Sequence, residues 1–382
     1  MPESHPDISA APATRRSGIV PMALWTLAIL AILAVAWAIA AIAAPAWQVH
    51  RALSESPSEA LDLLGGQEAA ARKLAIYLRL PRRLASEQLW AVGVLGQCGP
   101  IAVPELVRLL RHEDGGMRAE AAEALVEIRD PRAFDPLVKA LRDADGRVRR
   151  NAVLALRSMG DVRSVEPLIA ALGDEDTAVR VQALLALGEL GEASVTRLLA
   201  ALENPKIRAE AAHALALTRD RRAVEPLLRL LDDEDETEDV RTTAAEMLGH
   251  VGDPRAIGPL VERLSDKGWV GAGAAAGLGR MGEQAVGPLI AALDDEATRN
   301  GALLALGQTR SARAVAPLVA ALRDPEPINR KTAAWALGFI GQAAAGSLPE
   351  LESLLEDEED ERVRKFAVDS MERIRKAIGP EQ

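Results

Sequence analysis

Apolar residues between 100 and 379 recur with the spacing of paired amphipathic helices. In residues 161–172, Val165, Leu168, Ile169 and Leu172 fall at i, i+3, i+4 and i+7, one stripe of a helix. The acidic stretch "GDED" (173–176) interrupts this stripe and supplies candidate caps for a second helix. That helix places Val179, Ala183, Leu184, Leu187 and Leu190 on one face and is expected to end at Gly191 as a C-cap.

The same frame returns as "DPRAFDPLVKALRDADGRVRRNAVLALRSMG" at 130, "DRRAVEPLLRLLDDEDETEDVRTTAAEMLGHVG" at 220 and "DPRAIGPLVERLSDKGWVGAGAAAGLGRMG" at 253. Further copies start near 100, 192, 283, 311 and 342, a period of 28 to 33 residues. About nine copies fill 100–379, and 67–99 reads as a divergent helix pair before them. Asp130–Pro131 and Asp253–Pro254 read as N-cap followed by a first-turn proline. Another proline follows six residues after the opening position, at Pro136, Pro167, Pro226, Pro259 and Pro317. Deep in a helix each would cost about 3 kcal/mol. Either regular helix starts late, with this proline in its first turn, or the helix bends there. A single pair cannot bury its own apolar face, so the copies must stack into an all-α solenoid.

The N-terminal pattern is different. No charged residue occurs from Ser17 to Val49, too long a run for the apolar core of an ordinary cleaved signal. Trp25 and Trp47 are 22 residues apart, roughly 33 Å along a helix, which matches two interfacial aromatic belts. The reading is one transmembrane helix at about 22–44 within an apolar span 19–47. A disordered tail (1–18) precedes it and a juxtamembrane linker (48–66) follows. A cleaved signal is the alternative, because "AIAAPA" (41–46) has small residues near its end. Arg15 and Arg16 before the helix, against Arg51 after it, favour N-inside and an extracytoplasmic repeat domain.

Composition sharpens this picture. Hydrophobic residues make up 49% of the 382, aromatics only 3%, which favours helix over sheet. Formal net charge is −11, and residues 1–50 sum to zero, so the excess acid lies after residue 50. An acidic repeat domain is a poor partner for a phosphate backbone, and no nucleic acid is expected. The single cysteine, Cys98, excludes an intramolecular disulfide and aligns with a core position.

The frame "RAVEPLIxAL…D…VRxxAxxALGxLG" resembles HEAT-like repeats of the phycobilisome (PBS) lyase type. The resemblance covers about 100–379. It implies an α-solenoid whose second helices line a concave, partner-binding surface. It also implies a second function class, a bilin lyase or bilin-handling protein.

Taking the Arg of the "VR" pair as position zero (Arg118, Arg149, Arg180, Arg208, Arg241, Arg330, Arg364), positions −1, +3, +7 and +10 share the core face. Positions +2, +5 and +9 face the other way. These outward positions hold Glu120, Glu123 and Glu127 in the first copy, then Asn151, Leu154, Ser158 and Gln182, Leu185, Glu189. Glu210, His213, Leu217 and Thr243, Glu246, His250 follow. The copies at 253 and 283 read as bland (Gly273, Ala276, Arg280; Gly301, Leu304, Gln308), and Thr332, Trp335, Phe339 and Phe366, Asp369, Arg373 close the series. Trp269 at −2 joins this face, as does Trp90 if the pair at 67 is aligned on "LGQCG". The aromatics Trp335 and Phe339 either anchor a partner or pack on the neighbouring copy. The repeated Arg is expected to pair with acids of an adjacent copy.

Catalytic signals are weak. The resemblance extends to deoxyhypusine hydroxylase, whose iron-binding His-Glu pairs would fall at Ala119 and Ala209; the sole His-Glu pair, His112–Glu113, falls in a loop. His213 and His250 with Glu210 and Glu246 could ligate zinc or be plain exposed polar residues. The acid runs 232–239 and 356–361 lack the calcium-loop pattern. "GAGAAAGLG" (271–279) follows no strand and is no dinucleotide fingerprint. The expectation is a membrane-anchored, non-catalytic scaffold for a protein or peptide partner, without metal or cofactor. Its candidate contacts are Trp335, Phe339, Trp269, Thr332, Phe366, Glu120, Glu123, Glu127, His213 and His250.

Overall fold

The computed structural model describes residues 44–379 apart from 45, 54 and 81–84. The tail 1–18 and nearly all of the apolar span 19–47 lie outside the described residues. Among the described residues no helix is long and apolar enough to cross a membrane. Two compact units meet in sequence between Ala102 and Val103.

The first unit contains helices α1 (46–52), α2 (Pro57–Leu64), α3 (Gln67–Leu78) and α4 (Ala85–Gly96). The stretch 48–66, expected to be a linker, is therefore largely helical. Its physical reason is visible in the chain. Ala46, Val49 and Ala52 are buried at i, i+3 and i+6, and Ala60 and Leu64 are buried at i and i+4. Ser56 and Glu59 close a reciprocal capping box at the start of α2. Cys98 is buried, its Sγ donating to the Val94 carbonyl at 3.6 Å, and burial pushes the thiol up to about 11.

The second unit is a row of nine helix pairs. They are α5 (Val103–Leu109) with α6 (Gly115–Ile128), α7 (Phe134–Ala140) with α8 (Gly146–Met159), and α9 (Val165–Ala171) with α10 (Thr177–Glu189). Next come α11 (Glu192–Ala201) with α12 (Arg208–Leu217), α13 (Val224–Asp232) with α14 (Glu238–Val251), and α15 (Ile257–Glu262) with α16 (Trp269–Met281). The last three are α17 (Glu283–Ala291) with α18 (Glu296–Thr309), α19 (Val315–Ala321) with α20 (Pro327–Ile340), and α21 (Leu348–Asp357) with α22 (Glu361–Ile378).

The recurring proline sits in the first turn of each first helix that carries it. Regular α-helix begins two residues earlier, at Phe134, Val165, Val224, Ile257 and Val315, and a one-turn 3-10 helix precedes it. The opening residue caps that turn: Asp130, Asp161, Asp220, Asp253 and Ser311 each accept the backbone N–H two residues on. Second helices are capped by Asp114, Asp145, Asp176, Asp295 and Asp360, as the acidic loops suggest. The expected end at Gly191 is shifted. Leu190 is only half-buried and forms the C-cap of α10, while Gly191 (φ +56°) is the joint leading into α11.

Each second helix packs along its length on the second helix of the next pair, whereas neighbouring first helices touch sparingly. The second helices thus form the continuous, closely packed layer of the row, called its inner face. Glycine at +8 sets this spacing. A β-carbon on Gly249 would lie 2.4 Å from the Cα of Gly277, one on Gly307 2.7 Å from Ala336 Cβ, and one on Gly338 2.5 Å from Ser370 Oγ. Gly273, Gly277 and Gly279 have the same role: a β-carbon on Gly277 would meet the Ala245 carbonyl at 2.5 Å.

Candidate functional site: the inner face of the second helices

Side chains at +2, +5 and +9 do point away from the core, but not equally. Position +2 is drawn between successive second helices. Asn151 is 3% exposed and donates to the Ala119 carbonyl of the previous copy at 3.0 Å. Thr332 is 7% exposed; its hydroxyl donates to the Ile328 carbonyl (2.9 Å) and accepts from Asn300 Nδ2 (3.0 Å). Thr332 is thus a packing residue and not an open contact, because the close helix spacing closes over that position. Positions +5 and +9 remain half-buried or exposed, as at Glu123, Glu127, His213, His250, Trp335 and Phe339.

Trp335 and Phe339 stack with ring centroids 5.0 Å apart and planes 23° apart. The Arg310 guanidinium lies 5.1 Å from the Phe339 centroid. One edge of Trp335 rests against the preceding copy, where a β-carbon on Gly307 would sit 3.3 Å from Cζ3. The pair is half-buried and also packed onto its neighbour. Phe366 is half-buried with Lys331 Nζ 5.8 Å from its ring, and Trp269 is 71% exposed. Burial and the adjacent Glu123 push the Glu120 carboxyl up.

The zero-position arginines form a ladder along the loop edge. Arg118 reaches Asp143 (2.7 Å), Arg149 Asp174 (2.8 Å), Arg241 Asp266 (3.4 Å), Arg299 Asp324 (3.6 Å) and Arg330 Glu358 (2.6 Å), each in the loop of the next copy. Arg208 pairs with Glu236 in the same way. Arg180 meets Glu210 on α12 instead (3.3 Å), where the following loop offers Asn204 and Pro205 in place of acid. The same guanidinium usually binds its own loop as well, as when Arg149 Nη1 donates to the Asp143 carbonyl at 2.9 Å. The Arg330 guanidinium holds the Glu358 carboxyl below its usual range. This is the expected inter-copy pairing, and its role is structural.

Midway along the row, His213 on α12 and His250 on α14 face each other, ring centroids 6.4 Å apart. Burial lowers the His213 pKa, with Glu246 opposing, Arg280 adding and Glu210 opposing. Burial, then Arg280, His213 and Arg219, push His250 down to about 4. Both imidazoles are neutral at pH 7. Glu246 lies near His213, but among the described residues no group of three or more His, Cys, Asp or Glu side chains assembles to hold a metal. In the sequence Arg280 reads as part of a bland copy, and Arg219 is not singled out. The available signal for Arg219 was an Arg directly before the opening position, shared with Arg129 and Arg310. All three adopt positive φ (53–55°) at the end of a second helix.

A stack of helical hairpins with an inner row of second helices defines an α-solenoid. Residues 83–156, 134–203, 195–279 and 286–372 match HEAT repeats, and the chain belongs to that family. Residues 270–295 match the PBS lyase HEAT-like repeat, a stretch that covers nearly all of α16, the whole of α17 and the loop after it, and speaks for repeat shape, not activity. The fold is similar to yeast importin-beta (Kap95p), with 13% identity and a TM-score of 0.55 over 87% of this chain and 55% of that one. The Kap95:Nup1 complex gives 13% identity and 0.57 over the same shares, and Kap121p bound to Ste12p gives 14% and 0.52 over 86% and 44%. The chain thus spans about half the length of these structures, and the likeness concerns fold. No curated protein matches the sequence.

Proposed function

We infer that this chain is a non-catalytic scaffold that holds a protein segment along the inner face of its second helices, tethered to a membrane through the apolar run 22–44. The observation that carries this reading is the continuous inner row, with a stacked aromatic pair partly open on it. Half-buried aromatics on a rigid surface lose little side-chain entropy on contact and supply large apolar area. Solenoids of similar fold are described in complex with Nup1 and Ste12p, which supports protein binding as the use of such a surface. The apolar run supports the tether through its length and its flanking tryptophans.

Replacing Trp335 and Phe339 together with Ala tests the face. Partner capture from the native host should fall at least tenfold while the helical CD spectrum is retained; unchanged capture removes the aromatic anchor. Carbonate extraction of membranes tests the tether, and release of the chain into the soluble fraction refutes it. Protease accessibility in intact cells tests the N-inside orientation, with cleavage of the repeats expected from outside.

A further inference from the structure

The seven ladder arginines from Arg118 to Arg330 have carboxylate partners, whereas Arg219 and Arg280 make no ion pair among the described residues. Both are exposed, and both lie close enough to His250 to act on its charge. Three consecutive second helices thus bring two free guanidinia and two imidazoles together, in a chain of formal net charge −11. The acids facing the group are Glu246 on α14, near His213, and Glu210 on α12, which is engaged by Arg180. Unmatched cations in an acidic protein select for an anion.

We propose that this stretch of the inner face, built by α12, α14 and α16, binds an acidic side chain of the partner protein. Arg280 and Arg219 supply the charge, and His250 and His213 supply N–H donors. The proposal rests on the inner-face reading above and names the partner's chemistry at its centre. A bound carboxylate would favour the imidazolium form of His250, which burial and then Arg280, His213 and Arg219 now disfavour. Binding would therefore take up protons, and affinity would rise as pH falls from 7.5 to 5.5. A glutamate side chain is still mostly ionised at 5.5, so the ligand's own charge is kept.

The test uses the full chain in mild detergent and a fluorescein-labelled hexaglutamate peptide, read by anisotropy at low salt. Tighter binding at pH 5.5 than at 7.5, by about tenfold per proton taken up, is expected. Arg280→Gln with Arg219→Gln should weaken binding at least tenfold at both pH values. His250→Gln should weaken binding at pH 7.5 less than the arginine changes do and lose the gain at 5.5, and saturating peptide should raise the NMR titration midpoint of His250. Asp239→Gln, an exposed change in the same unit, is the neutral control. No hexaglutamate binding, or binding indifferent to the two arginines, overturns the proposal. The same assay on the Trp335/Phe339 double alanine variant separates the two readings. If that variant loses partner capture while the wild type ignores hexaglutamate, the inner face stands and the acidic partner falls.

Discussion

Removing Arg149 is the sharpest perturbation of the loop-edge ladder. Its side chain is 8% exposed and that of Asp174 10%, and the pair is bidentate, Nε and Nη2 each 2.8 Å from a carboxylate oxygen. Arg149→Met leaves a buried carboxylate without its counter-charge, a change that costs about 3–5 kcal/mol. The lower end applies, because the neighbouring loop residue Glu175 is open to water and the Asp143 and Ala144 carbonyls can be rehydrated. Arg147→Met breaks a pair with Asp145 in the same loop, but Arg147 is 65% exposed, so its loss should cost far less than that of Arg149. In a stacked array the damage is local and decays along the row. Hydrogen exchange followed by mass spectrometry should therefore show amides of α8 and α10 opening about 100-fold faster, at about 1.4 kcal/mol per factor of ten, with α18 to α22 unchanged. Adding Asp174→Asn should recover part of the loss. It removes the stranded charge and keeps the oxygen that accepts the Asp176 N–H at 2.8 Å. Equal effects of Arg147→Met and Arg149→Met, or no recovery in the double variant, would refute the ladder as a source of stability.

Three further outcomes follow from the geometry. Gly277→Ala places a β-carbon 2.5 Å from the Ala245 carbonyl and should cost about 1–3 kcal/mol by thermal unfolding, whereas Gly258→Ala, with no atom within 4 Å, should be neutral or slightly stabilising; equal melting of the two would be inconsistent with close helix approach. His250 has a folded-state pKa of about 4 against about 6.5 when unfolded, so the unfolded chain takes the proton first. Stability should then be full above about pH 6.5 and decline down to about 4, and His250→Gln should flatten this window. The Asp145 and Asp220 caps, held at about 2 by the side-chain and backbone N–H groups of Arg147 and Arg222, lose their contribution only below about 3.8. Cys98 should react with a disulfide reagent at pH 8 far more slowly than an exposed thiol, and reaction at the free-cysteine rate would contradict its burial.

Much of the repeat architecture was legible because each copy repeats the same local chemistry. Asp130 and Asp161 cap, Pro136 and Pro167 fix the first turn, and Val179 and Leu187 mark the core side, so several copies vote on every position. The neighbour across the row is a different matter. A helical wheel gives the direction of Thr332 or Asn151 from its own axis, but not the distance to the next helix. That distance depends on glycines such as Gly249, which reads in sequence only as part of the repeat frame, and Gly277, which reads only as part of a glycine-rich run. Arg280 was passed over as bland for a related reason: its significance lies in His213 and His250, one and two helices away. In the first unit, Ala46 and Val49 end a long uncharged run and Ala52 lies just past it, which masked their short helical period.

The arginine ladder also has a direction. Most copies extend a guanidinium forward to an acid of the next, like a coupling with a hook at one end and an eye at the other, and the copy at 253, with Gly271 at position zero, lacks the hook. His112 stands where the first copy would offer its acid, and Arg364 binds only carbonyls of its own copy, Leu355 and Glu358. The ladder thus runs out at both ends of the row, and the internal joints that carry it reuse one kind of fitting. A gene encoding such a chain can gain or lose whole copies without inventing a new joint, so the length of the surface can change by duplication while its construction stays the same.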